Sequence, residues 1–184
     1  MNHHVSTDSR LTVSDIAKGG LVAALYVVLT LLVAPVAYGP IQFRISEMLN
    51  FLGLYNRRYV YAITLGCFLA NIPNGYVDMV VGSLSTFIFL WIGRWVSQWL
   101  LESLKTKQGL SFDPMLLAYA VMIIAFMLQM APITIMIQYL TQALEPFWST
   151  FWPLFISLAL NEGLAMLLGS LVIYPISRRI NFYD

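Results

Sequence analysis

Apolar residues run through this chain in long stretches, broken at a few polar points, and six stretches stand out. The first covers about residues 13–34 and is expected to stop at Pro35, which cannot continue a helix. Thr12, three residues before Asp15, gives it a capping box. The second is short, about 45–55, and the third, about 59–71, stops before Pro73. The fourth is long, about 76–104. The fifth starts near Pro114, which suits a first turn after Asp113, and reaches about 139 with a kink expected at Pro132. The sixth covers about 149–180, with Pro153 in its first turn and Pro175 near its end. The pattern predicts a polar tail over 1–12 and a single six-helix domain over 13–184.

Composition turns this pattern into a membrane protein. Of 184 residues, 59% are hydrophobic and 10% charged, against roughly a quarter charged in a soluble domain. That excludes an ordinary soluble globule and a disordered chain. The formal net charge is +1 and no basic patch exists to meet phosphates, so no nucleic-acid partner is expected. Cys67 is the single cysteine, and His3 and His4 both sit in the polar tail, which leaves neither a disulfide framework nor a metal centre. The polar start argues against a cleavable signal peptide. The expected class is an all-α integral membrane protein with six transmembrane helices.

The cations give an orientation. Arg10 and Lys18, Arg57 and Arg58, Lys105 and Lys107, and Arg178 and Arg179 all fall on one side of a six-span arrangement. By the positive-inside rule that side is cytoplasmic, with both termini inside a cell membrane. Arg94 is expected to snorkel towards the same surface, while Arg44 falls on the outer side. A full span needs about 20 residues, so the second and third stretches are too short. Residues 36–44, with Gly39 and Pro40, are then expected to dip into the membrane from outside as non-helical chain. Such backbone survives at membrane depth only where protein buries it or where it lines a cavity, and this predicts an outward-facing cavity. Two tilted or interfacial segments without a cavity are the alternative.

Arg44, Glu47, Asn71, Asp78, Asn161 and Glu162 lie in the outer half or near the midplane. Ionisable residues at that depth cost about 2.5–3.5 kcal/mol each on insertion scales and are functional candidates. Glu47 and Asp78 also fall in first helical turns, where an acid suits the helix dipole without any ligand. Arg44 and Glu47 can pair with each other, and Asn71 can cap a helix end. Glu162 is mid-helix, about 20 Å down the axis from residue 149, where a hydrogen bond to another helix is the structural alternative. Gln129 and Gln138 read as bonds between helices. Tyr38, Phe43, Phe147, Trp148 and Trp152 cluster near the outer entry, where an interfacial belt is the ordinary explanation. Phe43 with Trp148 or Trp152 is also placed to sandwich a flat ring. Trp91, Trp95 and Trp99, at i, i+4 and i+8, read as packing or lipid contact. Gly19 with Ala23 and Gly20 with Ala24 form two small-xxx-small pairs that fit a docking face for another membrane subunit. No catalytic motif and no nucleotide-binding loop appears, so the chain is not expected to be an enzyme, to carry a cofactor or to hydrolyse ATP itself.

The loop Tyr38-Gly39-Pro40-Ile41-Gln42-Phe43-Arg44-Ile45-Ser46-Glu47 resembles the QueT family, substrate-binding S components of energy-coupling-factor (ECF) transporters for queuosine precursors. Residues 65–71 and 78–86 resemble the family's next two segments, and the small face of the first helix resembles its contact with the transmembrane T subunit. The resemblance runs from about residue 16 to 174. Asn161 stands where members commonly have Gly. The resemblance implies an ECF S-component-like bundle of six helices. It also implies a deazaguanine ligand such as 7-aminomethyl-7-deazaguanine or queuine, and uptake driven by a T subunit and two ATPase subunits. Glu162, Glu47, Asp78, Asn71, Arg44, Phe43, Asn161 and Trp152 are the expected ligand residues. A guanine-like edge offers adjacent N–H donors that a carboxylate accepts in pairs, and an aminomethyl cation wants another acid. An S component for another vitamin and a stand-alone ion-coupled carrier stay open as alternatives.

Overall fold

The computed structural model describes residues 12–37, 44–105, 113–141 and 146–183, and the chain is helical almost throughout them. Helix α1 (Val13–Leu32) opens with the expected capping box: Thr12 accepts from the Asp15 N–H at 3.1 Å, and Asp15 accepts from the Thr12 N–H at 3.0 Å. The helix does not end at Pro35. It breaks at Val33 and resumes as the short α2 (Ala34–Ala37), where Pro35 falls in a first turn that needs no N–H from it. Residues 38–43, which carry Tyr38 and Phe43, lie outside the described residues.

The second stretch is not one α-helix. It runs as a 3-10 segment (Ile45–Phe51) and then as α3 (Leu52–Tyr55). A 3-10 helix rises about 2.0 Å per residue against 1.5 Å in an α-helix. The stretch therefore reaches further across the bundle than an α-helix of equal length. Helix α4 (Arg57–Ala70) starts two residues before the pattern suggested, because the Asn56 side chain caps it by accepting from the Arg58 N–H at 3.1 Å. A 3-10 turn (Ile72–Asn74) and Gly75, at φ 102°, reverse the chain into α5 (Tyr76–Lys105). Then follow α6 (Pro114–Thr141) and α7 (Phe147–Ser177). Helices α1, α5, α6 and α7 are long and apolar enough to cross a membrane.

The helices close into a ring. Helix α1 packs on α4, α4 on α5, α5 on α6 and α6 on α7, while the 3-10 segment bridges α7 back to α1. Tyr26, Phe51, Ile63, Leu90, Met122, Phe126 and Met166 fill the centre with no measurable exposure. Phe51 stacks on Tyr119 at 4.2 Å between ring centroids. At Gly169 the 3-10 segment lies against the bare backbone of α7: an added Cβ there would collide with Met48 Cβ and stand 2.9 Å from its Cα.

The end of the bundle where α1 begins and α7 ends is tied by ion pairs, Arg58 with Asp15 and Arg178 with Asp113. Arg94 turns its guanidinium to the last turn of α3. It donates to the Gly53 and Leu54 carbonyls at 2.6 and 3.0 Å and so caps α3, whose last carbonyls have no helical partner. Outward faces are apolar, with Trp95, Trp99, Leu160, Leu164, Leu167 and Leu171 all exposed, as lipid contact requires.

Candidate functional site

A cavity opens at the end of the bundle away from the start of α1 and the end of α7. It is lined by Arg44, Glu47, Cys67, Asn71, Asp78, Gly82, Thr86, Gln129, Met130, Ile133, Met136 and Glu162. Its empty space, counted out to the mouth and including open solvent, is about 510 Å³. Five residues singled out from the sequence, Arg44, Glu47, Asn71, Asp78 and Glu162, therefore meet in one place although they come from four separate elements.

Each is placed by local structure. Glu47 sits in the first turn of the 3-10 segment and is buried. It accepts from Tyr26 Oη at 2.7 Å and from Asn50 Nδ2 at 2.5 Å, so α1 and the segment itself hold the carboxylate still. Thr30 Oγ1 donates to Ser46 Oγ at 2.7 Å one residue earlier and fixes the same crossing. Asn71 is the cap residue of α4, and its backbone N–H donates to the Cys67 carbonyl at 3.1 Å. The capping role and the place in the cavity are thus both real. Gly82 on α5 lets Asn71 approach, since a Cβ there would stand 3.1 Å from Asn71 Nδ2. Asp78, in the first turn of α5, is half-buried. Glu162 is mid-α7 and 3% exposed, roughly 22 Å along the axis from the start of the helix. Arg44 interacts electrostatically with both Glu47 and Glu162.

Two expected ligand residues are not brought there, and a third is not described. Asn161 precedes Glu162 by one residue, a rotation of about 100° around the helix, and is not on the cavity wall. Trp152 is half-exposed and belongs to an aromatic ladder along α7, stacked with Trp148 at 6.2 Å and edge-on to Phe151 at 5.2 Å. Phe43 lies outside the described residues. Of the four small residues on α1, Ala23 is buried within the chain and Gly19 faces Ala62 of α4, so this pair is used internally. Gly20 and Ala24 face outward. Gln138 does bond between helices, donating to the Phe147 carbonyl at 3.1 Å and to Thr150.

Sequence reasoning missed Cys67, Gly82, Thr86, Met130, Ile133 and Met136, and gave Gln129 only a bonding role. The signal was spacing: Cys67 with Asn71, then Asp78, Gly82 and Thr86, then Gln129, Ile133 and Met136 each repeat along one helix face.

The wall is rich in acceptors. It carries three carboxylates against one guanidinium. Glu162 Oε1, Asn71 Oδ1 and Gln129 Oε1 are buried without a hydrogen-bond partner. A polar atom buried without a partner costs about 1–3 kcal/mol, so three on residues of one cavity wall suit a donor-bearing ligand. Among the described residues no group of three or more His, Cys, Asp or Glu is placed to hold a metal ion.

Comparison with known proteins places the chain among transporters. The chain matches the family described as QueT transporter over residues 16–178. It is 33% identical over 171 residues to the Queuosine precursor transporter QueT of Lactococcus lactis subsp. cremoris (strain MG1363), covering 91% of this chain and 94% of that protein. No solved structure matches it. Since the matched region takes in the long apolar helices and every residue lining the cavity, this chain belongs to the QueT transporter family.

Proposed function

We propose that the chain is the substrate-binding subunit of an energy-coupling-factor transporter and captures a queuosine precursor in the acceptor-lined cavity. The ligand class is a 7-deazaguanine, 7-aminomethyl-7-deazaguanine or queuine. The observation that carries this reading is the convergence of three unpartnered acceptors with Glu47 and Asp78 in one cavity. A guanine-like edge presents adjacent N–H donors that fit a carboxylate, and a protonated side-chain amine fits a second one. Arg44 offsets part of the negative charge and offers donors to a ring carbonyl.

The orientation follows from the cations. Arg57, Arg58, Arg178 and Arg179 lie at the end where α1 begins and α7 ends, so that end is cytoplasmic and the cavity faces outside. The chain has no nucleotide-binding loop, so the energy comes from partners: a transmembrane T subunit and two ATPase subunits. Gly20 and Ala24, small and outward-facing on α1, supply a place for another helix to dock closely.

Uptake of labelled 7-aminomethyl-7-deazaguanine into cells that lack their own route tests this. Uptake is expected when the chain is expressed with the T and ATPase subunits and not when it is expressed alone. Uptake by the chain alone, abolished by collapsing the ion gradient, would make it an ion-coupled carrier. Uptake of a different vitamin with no deazaguanine transport would replace the ligand.

A further inference from the structure

Two of the unpartnered acceptors in the cavity are amide oxygens, and a strip of side chains turns them inward. Gln129 on α6 donates through Nε2 to Thr86 Oγ1 on α5 at 3.0 Å. Thr86 Oγ1 lies 3.5 Å from Cys67 Sγ on α4, and Asn71 Nδ2 donates to the same sulfur at 3.4 Å. The four side chains cross three helices, all are buried, and all line the cavity. Their N–H groups are taken up inside the strip, which leaves Gln129 Oε1 and Asn71 Oδ1 without partners.

An amide can present either an acceptor or two donors, depending on one rotation of its terminal bond. What fixes the choice for Gln129 is the Thr86 hydroxyl, which with its own proton given to Cys67 Sγ is left only to accept. It takes the Gln129 N–H on the helix side, and the oxygen must then face the cavity. A site built to accept hydrogen bonds rejects analogues that lack the matching donor, because its own polar atoms would stay unpaired.

We propose that Gln129 contacts the ligand through Oε1, and that Thr86 is a positioning residue that holds this amide oxygen-inward, making the α5–α6 wall selective for N–H donors. This deepens the deazaguanine reading and rests on it.

The test is calorimetric titration of the purified full chain with 7-aminomethyl-7-deazaguanine, with thermal unfolding run on each variant. Thr86→Val keeps the branched shape but cannot accept from Gln129, and should weaken binding about tenfold, the worth of one hydrogen bond in a buried site. Thr86→Ser keeps the hydroxyl and should bind like the wild type. Glu at position 129 offers an acceptor whichever way it turns, so adding Thr86→Val to Gln129→Glu should change affinity less than about twofold. Gln129→Met keeps the length without the acceptor and should also lose about tenfold at unchanged unfolding temperature. If Thr86→Val costs the same in both backgrounds, Thr86 acts through packing and the proposal is overturned. Unchanged affinity in Gln129→Met overturns it as well, even if Thr86→Val does not fold. In both cases wild-type binding leaves the ligand class standing. A wild-type chain that binds no deazaguanine takes down the ligand reading and this inference with it.

Discussion

Replacing Glu162 by Gln separates a ligand-binding role from a structural one because the two predict opposite effects on stability. The side chain is mid-α7, 3% exposed, and its Oε1 has no partner. Gln keeps the shape and replaces one carboxylate oxygen by an NH2 group. In the empty protein this removes a buried carboxyl group that lies near Glu47 and is costly to ionise there. Burying a charge is costly, so the variant should unfold at the same temperature as the wild type or a few degrees higher. In the complex it loses a charge-assisted hydrogen bond worth about 1.5–3 kcal/mol, which is about 10- to 150-fold in affinity. Thermal unfolding of both proteins, and titration of both with 7-aminomethyl-7-deazaguanine, read the two effects separately. A lower unfolding temperature with unchanged affinity would show that Glu162 bonds one helix to another and does not face the ligand.

Gly169→Ala should destabilise the fold by about 1–3 kcal/mol or more, read as a lowered unfolding temperature, because the new methyl group collides with the Met48 backbone and side chain. Arg94→Met removes the cap on the Gly53 and Leu54 carbonyls and should cost about 1–3 kcal/mol of stability; titration should find deazaguanine affinity unchanged, since the cap lies away from the cavity. Gly20→Leu should fold and bind ligand normally, because nothing lies within 4 Å of a Cβ placed there. It should nevertheless lose co-purification with the T subunit and transport, and Ala24→Leu should do the same.

The hydrophobic pattern made the six stretches legible because membrane helices write their length directly into apolar runs. The capping box at Thr12 was equally plain, since its chemistry is local. The 3-10 character of Ile45–Phe51 was not, because no residue type there distinguishes it from an α-helix. It follows instead from wedging between α1 and α7, with Met48 pressed onto Gly169. Charged residues gave most of the site away, because a charge at membrane depth demands a reason. Uncharged Cys67, Thr86 and Gln129 carried no such demand. Helix α6 is apolar around most of its surface, so only the spacing of Gln129, Ile133 and Met136 hints at the face that meets the cavity. Trp152 and Asn161 share α7 with Glu162, yet the turn of the helix keeps them off the cavity wall.

Recognition of a donor-rich deazaguanine by this cavity is tested by direct titration of the purified wild-type chain with 7-aminomethyl-7-deazaguanine. Saturable one-to-one binding is predicted, with xanthine, which has a carbonyl in place of the ring 2-amino group and lacks the aminomethyl arm, binding far more weakly. Absence of binding by folded protein, or equal affinity for xanthine, would mean that the cavity does not select a donor-rich deazaguanine.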